Sequence, residues 1–330
     1  HVGSGAFSGA ATFLSRWFAS HPMLFLKEQA ALAALGMNPV VLVDPASPVT
    51  TPYDMLINQI VEQARGDGRH GSCGVGFGET IERNLTPPYA LTVGDLADPG
   101  LADRLDAIRR DYAPTRLARL GYGAAYLENA DLFQSEAVLD HFVEDAGRFL
   151  EAVTVSEART AIQGREVLFE GAQGLRLDQD RGCFPYVTRS NTGLRNVLEL
   201  AGELGLERLE VSYVTRAYLT RHGAGPLPHE LPDPPYPGIE DATNRPNPYQ
   251  GTLRFGWLDL DGLGRGIAAD LAEARRFPAL TVNARLRVTC LDQLGNAPVI
   301  YYRQGQRHQD GPGLFLPTAA KATGLPTLAR

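Results

Sequence analysis

The side chains of this sequence that could do chemistry sit in glycine-rich breaks. The fullest case is residues 167–192, VLFEGAQGLRLDQDRGCFPYVTRSNT. The apolar run Val167-Leu168-Phe169 predicts a buried strand that carries Glu170 at its end and breaks into Gly171-Ala172-Gln173-Gly174. In α/β proteins ligands gather where strands open into such loops. The Gln173 amide donates and accepts at once, which suits the edge of a base or another amide; the same amide can also pin its own loop. Further on, Thr188, Ser190, Asn191 and Thr192 add hydroxyls and a second amide. Asp178 and Asp180 are two apart. On a strand they would share one side and suit a metal; in a turn one of them caps.

Four more stretches carry similar groups. Residues 66–78, GDGRHGSCGVGFG, hold six glycines in thirteen positions. Glycines expose backbone N–H groups, and with the Ser72 hydroxyl they form a candidate phosphate cradle; a tight surface turn has the same composition. Arg221-His222-Gly223-Ala224-Gly225-Pro226 would bring backbone groups near a ribose, and a lone histidine such as His222 is more often structural than catalytic. Arg254 stands before Phe255-Gly256-Trp257-Leu258-Asp259, and a guanidinium fork matches a carboxylate or a phosphate. Asp292 follows a β-type run and would accept from two donors on a guanine edge, or close a turn.

These loops need elements to hold them. Helical periods cover residues 23–35, 53–65, 101–119, 135–153, 263–276 and 316–323, with Pro114 breaking or kinking the third. β-type runs cover 39–44, 209–220, 281–291 and 299–302. Residues 232–248 hold six prolines in seventeen positions and read as an ordered loop or lid. Strands alternating with helices, several ending in a glycine loop, predict an α/β fold with a mostly parallel central sheet flanked by helices. With no repeat and no clean linker, residues 1–330 are expected to form a single domain.

Composition narrows the function classes. With 44% hydrophobic and 21% charged residues the chain reads as globular. A net charge of −7 argues against a general nucleic-acid binder but leaves room for a local phosphate pocket. The three cysteines, Cys73, Cys183 and Cys290, are odd in number and far apart, so a reducing cytoplasm is the expected compartment. No apolar run approaches a membrane span, and no basic leader precedes the apolar opening.

Taken together, these motifs resemble the adenylosuccinate synthetase family. The resemblance rests on Val167-Leu168-Phe169-Glu170-Gly171-Ala172-Gln173-Gly174, Pro185-Tyr186-Val187-Thr188 and Ser190-Asn191-Thr192. Thr220-Arg221-His222-Gly223-Ala224-Gly225-Pro226, Gly256-Trp257-Leu258-Asp259, Leu291-Asp292 and Gly71-Ser72-Cys73-Gly74 reinforce it, in the family's order. It implies a GTP- and Mg²⁺-dependent ligase of purine and AMP biosynthesis, joining IMP to L-aspartate as a homodimer. GTP phosphorylates the purine 6-oxygen while a carboxylate removes the N1 proton; the aspartate amine then displaces that phosphate. Carried over by motif, Gln173 and Thr188 would hold IMP with Leu177 lining the pocket. Ser72 and Cys73 fall in the IMP phosphate loop, His222 beside the ribose, Arg254 in the loop for aspartate and GTP, and Asp292 at the guanine.

The same resemblance defines departures. The Gly-Asp-Glu-Gly-Lys-Gly-Lys run that supplies the family's catalytic aspartate and Mg²⁺ site is not in this sequence, nor is the Asn-Ala-Gly-His-Thr run with its catalytic histidine. The resemblance therefore predicts an internal portion of a longer protein, with no catalytic residue and no metal ligand in these 330 positions. Cys73 stands where the family has threonine, Cys290 where it has a lysine that packs on guanine, and Gly251-Thr252-Leu253-Arg254 where it has several arginines. The arginine that crosses the dimer interface to IMP is missing, with Arg83 the nearest candidate. These changes predict a divergent branch: a ligase for another amino donor, or a non-catalytic binder of purine nucleotide.

Overall fold

Thr51 shows how the sequence starts its helices. Its hydroxyl accepts from the Asp54 N–H at 3.3 Å while the Asp54 carboxylate accepts from the Thr51 N–H at 2.8 Å, and Pro52 follows with its φ preset. This capping box begins a fourteen-residue helix that buries Ile57, Ile60 and Val61 along one face. Burying each such side chain contributes about 1.5–3 kcal/mol.

The computed structural model describes residues 1–241 and 248–329. They fall into two compact units, His1–Glu170 and Gly171–Arg330. The first contains β1 (Thr12–Leu14), α1 (Pro22–Ala34), β2 (Val41–Val43), α2 (Pro52–Arg65), α3 (Phe77–Asn84), α4 (Leu101–Ala107), α5 (Ala113–Arg119), α6 (Gly123–Glu128), α7 (Ala130–Gln134), α8 (Glu136–Ala152), β3 (Thr154–Val155) and α9 (Ala158–Ile162). Its three strands pair in parallel in the order β1-β2-β3, with Phe13 opposite Leu42 and Leu42 opposite Thr154. Val43, Tyr53, Ile57, Leu105, Phe142 and Phe149 form its core. Pro114 does not end its helix. A π-turn, Ile108–Tyr112, widens the coil between α4 and α5 and takes up the proline's missing N–H and its ring.

The second unit contains α10 (Arg195–Glu203), β4 (Arg208–Arg216), β5 (Leu219–Arg221), β6 (Glu230–Leu231), β7 (Arg254–Gly256), β8 (Leu258–Asp259), α11 (Leu260–Leu271), β9 (Thr281–Thr289), β10 (Val299–Arg303), β11 (Gln306–Asp310), α12 (Pro312–Thr323) and β12 (Thr327–Ala329). β4 runs parallel to β9 along its whole length, and β12 joins β9's other edge, also in parallel. β10 lies between parallel β8 and antiparallel β11; β5, β7 and β6 make a small antiparallel sheet. The class is α/β with parallel-strand sheets flanked by helices, the strands of the described residues being shared among four three-stranded sheets. No helix of the described residues is long and apolar enough to cross a membrane.

Two expectations are corrected, and a third falls only partly on the described residues. Residues 167–169 form no strand: the segment meets no strand partner among the described residues, and Leu168 is 81% exposed. Three apolar residues signal a preference for burial, but a strand also needs a ladder to join. The run 209–220 is two strands. Ala217 and Tyr218 turn into the core, where the Tyr218 hydroxyl donates to Gln293, and the chain leaves β9 to pair with β7. The proline-rich segment 232–248 is described only in part, since residues 242–247 lie outside the described residues. Within it, Tyr236 is buried and its hydroxyl donates to the Pro298 carbonyl at 3.1 Å.

Candidate nucleotide-binding site

The loop after Gly171 folds back on itself. The Thr188 N–H donates to the Leu177 carbonyl at 2.8 Å, the Gln179 N–H to the Ser190 carbonyl at 3.0 Å, and the Thr192 hydroxyl to the Gly174 carbonyl at 3.2 Å. Asp178 organises the fold-back. Its carboxylate, 2% exposed, accepts from the N–H groups of Asp180, Arg181 and Thr192. Asp180 accepts from Arg195 and Asn191. The pair therefore serves as a turn cap and a surface ion pair, not as a metal site. Gln173 and Cys183 are exposed at this loop, while Leu177 and Thr188 are half-buried.

A second network ties the end of this loop to α11. The Asp270 carboxylate is fully buried and accepts from the Leu194 N–H at 3.0 Å, from Arg181 at 2.8 Å and from the Tyr213 hydroxyl at 2.8 Å. Burial and this carboxylate push the Tyr213 phenol far above its usual range. Gly193 is required here: a Cβ would lie 1.9 Å from the Asp270 carboxylate. Arg195, Arg181 and Arg276 surround Glu273 and hold its carboxyl near 2.

The loop of residues 221–226 packs on this element through Arg221. Its Nε donates to the Ala224 carbonyl at 2.8 Å and its Nη2 to the Tyr186 carbonyl at 2.9 Å. Gly225, at φ +102°, leaves no room for a side chain, since a Cβ would sit 2.5 Å from that of Tyr186. Arg254 holds the same loop from the other side. It donates to the carbonyls of Gly223 at 3.0 Å and Gly225 at 2.9 Å, and it forks onto Glu230 at 2.6 and 2.5 Å. The Arg254 fork is thus engaged within the chain, and its hydrogen bonds, with its charge, depress the Glu230 carboxyl. Both ring nitrogens of His222 are buried without a hydrogen-bond partner among the described residues. An orphaned buried nitrogen costs about 1–3 kcal/mol, so this imidazole is unusual for a purely structural histidine.

In the first unit, α2 cradles the loop that carries Ser72 and Cys73. The buried Glu62 carboxylate accepts from the N–H groups of His70, Gly71 and Ser72. Asn58 donates to the Ser72 hydroxyl at 2.8 Å, and Gln59 to the Gly74 carbonyl at 2.9 Å. The first N–H groups of the cradle therefore already face an internal carboxylate. Cys73 is exposed. Arg83 is not a free arginine. It is fully buried in α3, donating to both oxygens of Asp54 at 2.9 and 3.0 Å and to the Tyr89 and Val49 carbonyls at 2.6 Å. A guanidinium so placed cannot reach across an interface.

Asp292 is exposed at the first residue of a short 3₁₀ turn, just after Cys290, which takes a left-handed φ of +59°. It shares the second unit with Gln173, Leu177, Thr188, His222 and Arg254. Sequence reading missed Arg221, Asp270 and Glu62. Arg221 stood in a motif already noted, beside the glycines it holds. Asp270 and Glu62 gave no local signal, because the groups they bind lie elsewhere in the chain. Among the described residues no group of three or more His, Cys, Asp or Glu is placed to hold a metal.

A sequence model of the family described as Adenylosuccinate synthetase matches residues 1–274. The chain belongs to the adenylosuccinate synthetase family. The adenylosuccinate synthetase of Xanthomonas campestris pv. campestris (strain B100) is 31% identical over 257 residues, covering 75% of this chain and 57% of that protein. The one from Nitrosococcus oceani is 32% identical over 268 residues, covering 76% and 57%. The chain thus spans little more than half the length of these family members. Among solved structures, fully ligated adenylosuccinate synthetase from Plasmodium falciparum matches with a TM-score of 0.67 at 16% identity, over 96% of this chain and 81% of that one. Succinoaminodeoxyadenylate synthetase of cyanophage S-2L matches with a TM-score of 0.50 at 17% identity, over 99% and 75%. At these identities the two structures speak for the family fold alone.

Proposed function

We propose that this chain holds the nucleotide substrate of an adenylosuccinate synthetase-type reaction, the GTP-dependent joining of IMP and L-aspartate in purine biosynthesis. The observation that carries the reading is the tie between two loops of the second unit. The fold-back that pairs Thr188 with Leu177 is joined through Arg221 to the loop that presents His222. In this reading Gln173 and Thr188 grip IMP, Leu177 lines its pocket and His222 lies beside the ribose. Ser72 and Cys73 serve the IMP phosphate, and Asp292 reads the guanine of GTP. A single family domain over residues 1–330, a homodimer and a cytoplasmic location belong to the same proposal. The residues of this chain bind and orient. The catalytic acid and base implied by the family motifs are not among them, so the chain alone releases no phosphate from GTP.

Titration calorimetry with IMP tests the reading. The chain binds IMP, and Gln173→Ala weakens binding about tenfold or more, the loss of one good hydrogen bond to a charged or polar ligand. A chain that binds no IMP refutes it. GTP hydrolysis that depends on IMP and aspartate would refute the inactivity.

Arg254 favours a second reading of the amino donor. It is engaged by Glu230 and two carbonyls, while Thr252 and Leu253 offer no cation. Such a loop suits a donor without aspartate's paired carboxylates. An assay of the full protein with a panel of amino donors decides: strict use of aspartate counts against it.

A further inference from the structure

Arg221 is a cation without a matching anion. Its hydrogen bonds go to two backbone carbonyls, Ala224 and Tyr186, and none of its described partners is a carboxylate. Of the five N–H donors of a guanidinium, the Nη1 pair has no described partner. The second guanidinium nearby, Arg254, already takes the Glu230 carboxylate in a fork, so one full positive charge stays uncompensated between the two. Desolvation and repulsion by Arg254 lower the Arg221 pKa, as expected where a counter-charge is missing. Next to it, both His222 nitrogens lack partners among the described residues. A half-buried charge is tolerated at such a position when an anion joins it.

The place of that charge is set by Tyr186, whose carbonyl Arg221 binds, two residues before Thr188. Arg83, another arginine considered for an anionic ligand, is consumed by Asp54. We infer that Arg221 supplies the positive charge that receives the phosphate of the bound nucleoside monophosphate, from within the chain. This inference rests on the nucleotide reading above and adds to it the group that neutralises the ligand. Tyr186 fixes one edge of the guanidinium, and the Nη1 side is left for phosphate oxygens.

Calorimetry of the full chain with IMP and with inosine, which lacks the phosphate, tests it. Arg221→Met weakens both ligands through the loosened loop, but raises the Kd for IMP about tenfold or more beyond its effect on inosine, as the loss of a charged hydrogen bond to the phosphate requires. Arg221→Lys restores part of the IMP affinity, and circular dichroism of both variants matches the parent. Wild-type affinity for IMP falls with added salt, and that slope flattens in Arg221→Met. Equal losses for IMP and inosine would make Arg221 a loop clamp only and overturn the inference. So would an unchanged affinity for IMP. A wild-type chain that binds neither ligand sinks the nucleotide reading itself, and the inference with it.

Discussion

Replacing Arg83 with methionine tests the buried ion pair that removes this arginine from any interface role. Arg83 and Asp54 side chains are both 0% exposed. The variant deletes two bonds to the carboxylate, at 2.9 and 3.0 Å, and two to the carbonyls of Tyr89 and Val49, both at 2.6 Å. Removing one partner of a buried pair costs about 3–5 kcal/mol, because the other charge stays buried. Asp54 keeps the N–H and hydroxyl of Thr51 at 2.8 and 2.9 Å, which points to the lower end. The two orphaned carbonyls add about 1 kcal/mol each where water cannot reach them. The expected loss is therefore about 5 kcal/mol, several thousandfold in the folding equilibrium. The chain has two tryptophans, Trp17 in the first unit and Trp257 in the second. In a Trp257→Phe background, Trp17 fluorescence reports the first unit, and its urea midpoint should fall in Arg83→Met. A loss below about 1 kcal/mol would refute the reasoning. An arginine that instead served a second copy would leave the midpoint in place and weaken self-association.

Three further outcomes are expected. Burial lowers the His21 imidazole from 6.5 to about 4, so the folded chain binds fewer protons than the unfolded one between those values; stability is full above pH 6.5 and falls by up to about 3 kcal/mol as pH drops through 4. Urea titrations across that range should show the slope, and His21→Asn, which keeps a capping oxygen for Leu24, should remove it. Gly225→Ala must displace Tyr186 or Arg221, and calorimetry should show IMP affinity down about tenfold with unchanged circular dichroism. Asp270→Asn leaves Arg181, Tyr213 and the Leu194 N–H around a weaker acceptor, and Trp257 fluorescence in urea should report a loss of about 2–3 kcal/mol in the second unit.

Local rules carried the sequence reading furthest. The helix at Pro52–Arg65 was legible from its apolar face, and α8 begins one residue past Ser135, whose hydroxyl caps it. The glycine loops were legible because glycine is costly anywhere else. What failed were statements that need a distant partner. Val167-Leu168-Phe169 has the composition of a strand, but pairing is decided by another segment. Tyr218 ends β4 because Gln293 waits for its hydroxyl 75 residues on. Arg83 looked available because nothing nearby in sequence reveals Asp54, 29 residues earlier. At the candidate site the motif residues were named, Arg254 and Asp178 among them, yet the holding roles of Arg221, Asp270 and Glu62 were not.

Glu62 has a consequence for how fast and how tightly the first glycine loop can act. Flexible glycine segments lose about 1–2 kcal/mol per residue of conformational entropy when they are ordered. With His70, Gly71 and Ser72 already hydrogen-bonded to a buried carboxylate, much of that ordering is complete before any ligand arrives. Binding then draws on a preformed shape, and little of the interaction energy is spent on freezing the loop. The signature is kinetic as well as thermodynamic: the three amides should resist hydrogen exchange in the ligand-free chain, and exchange more quickly in Glu62→Gln.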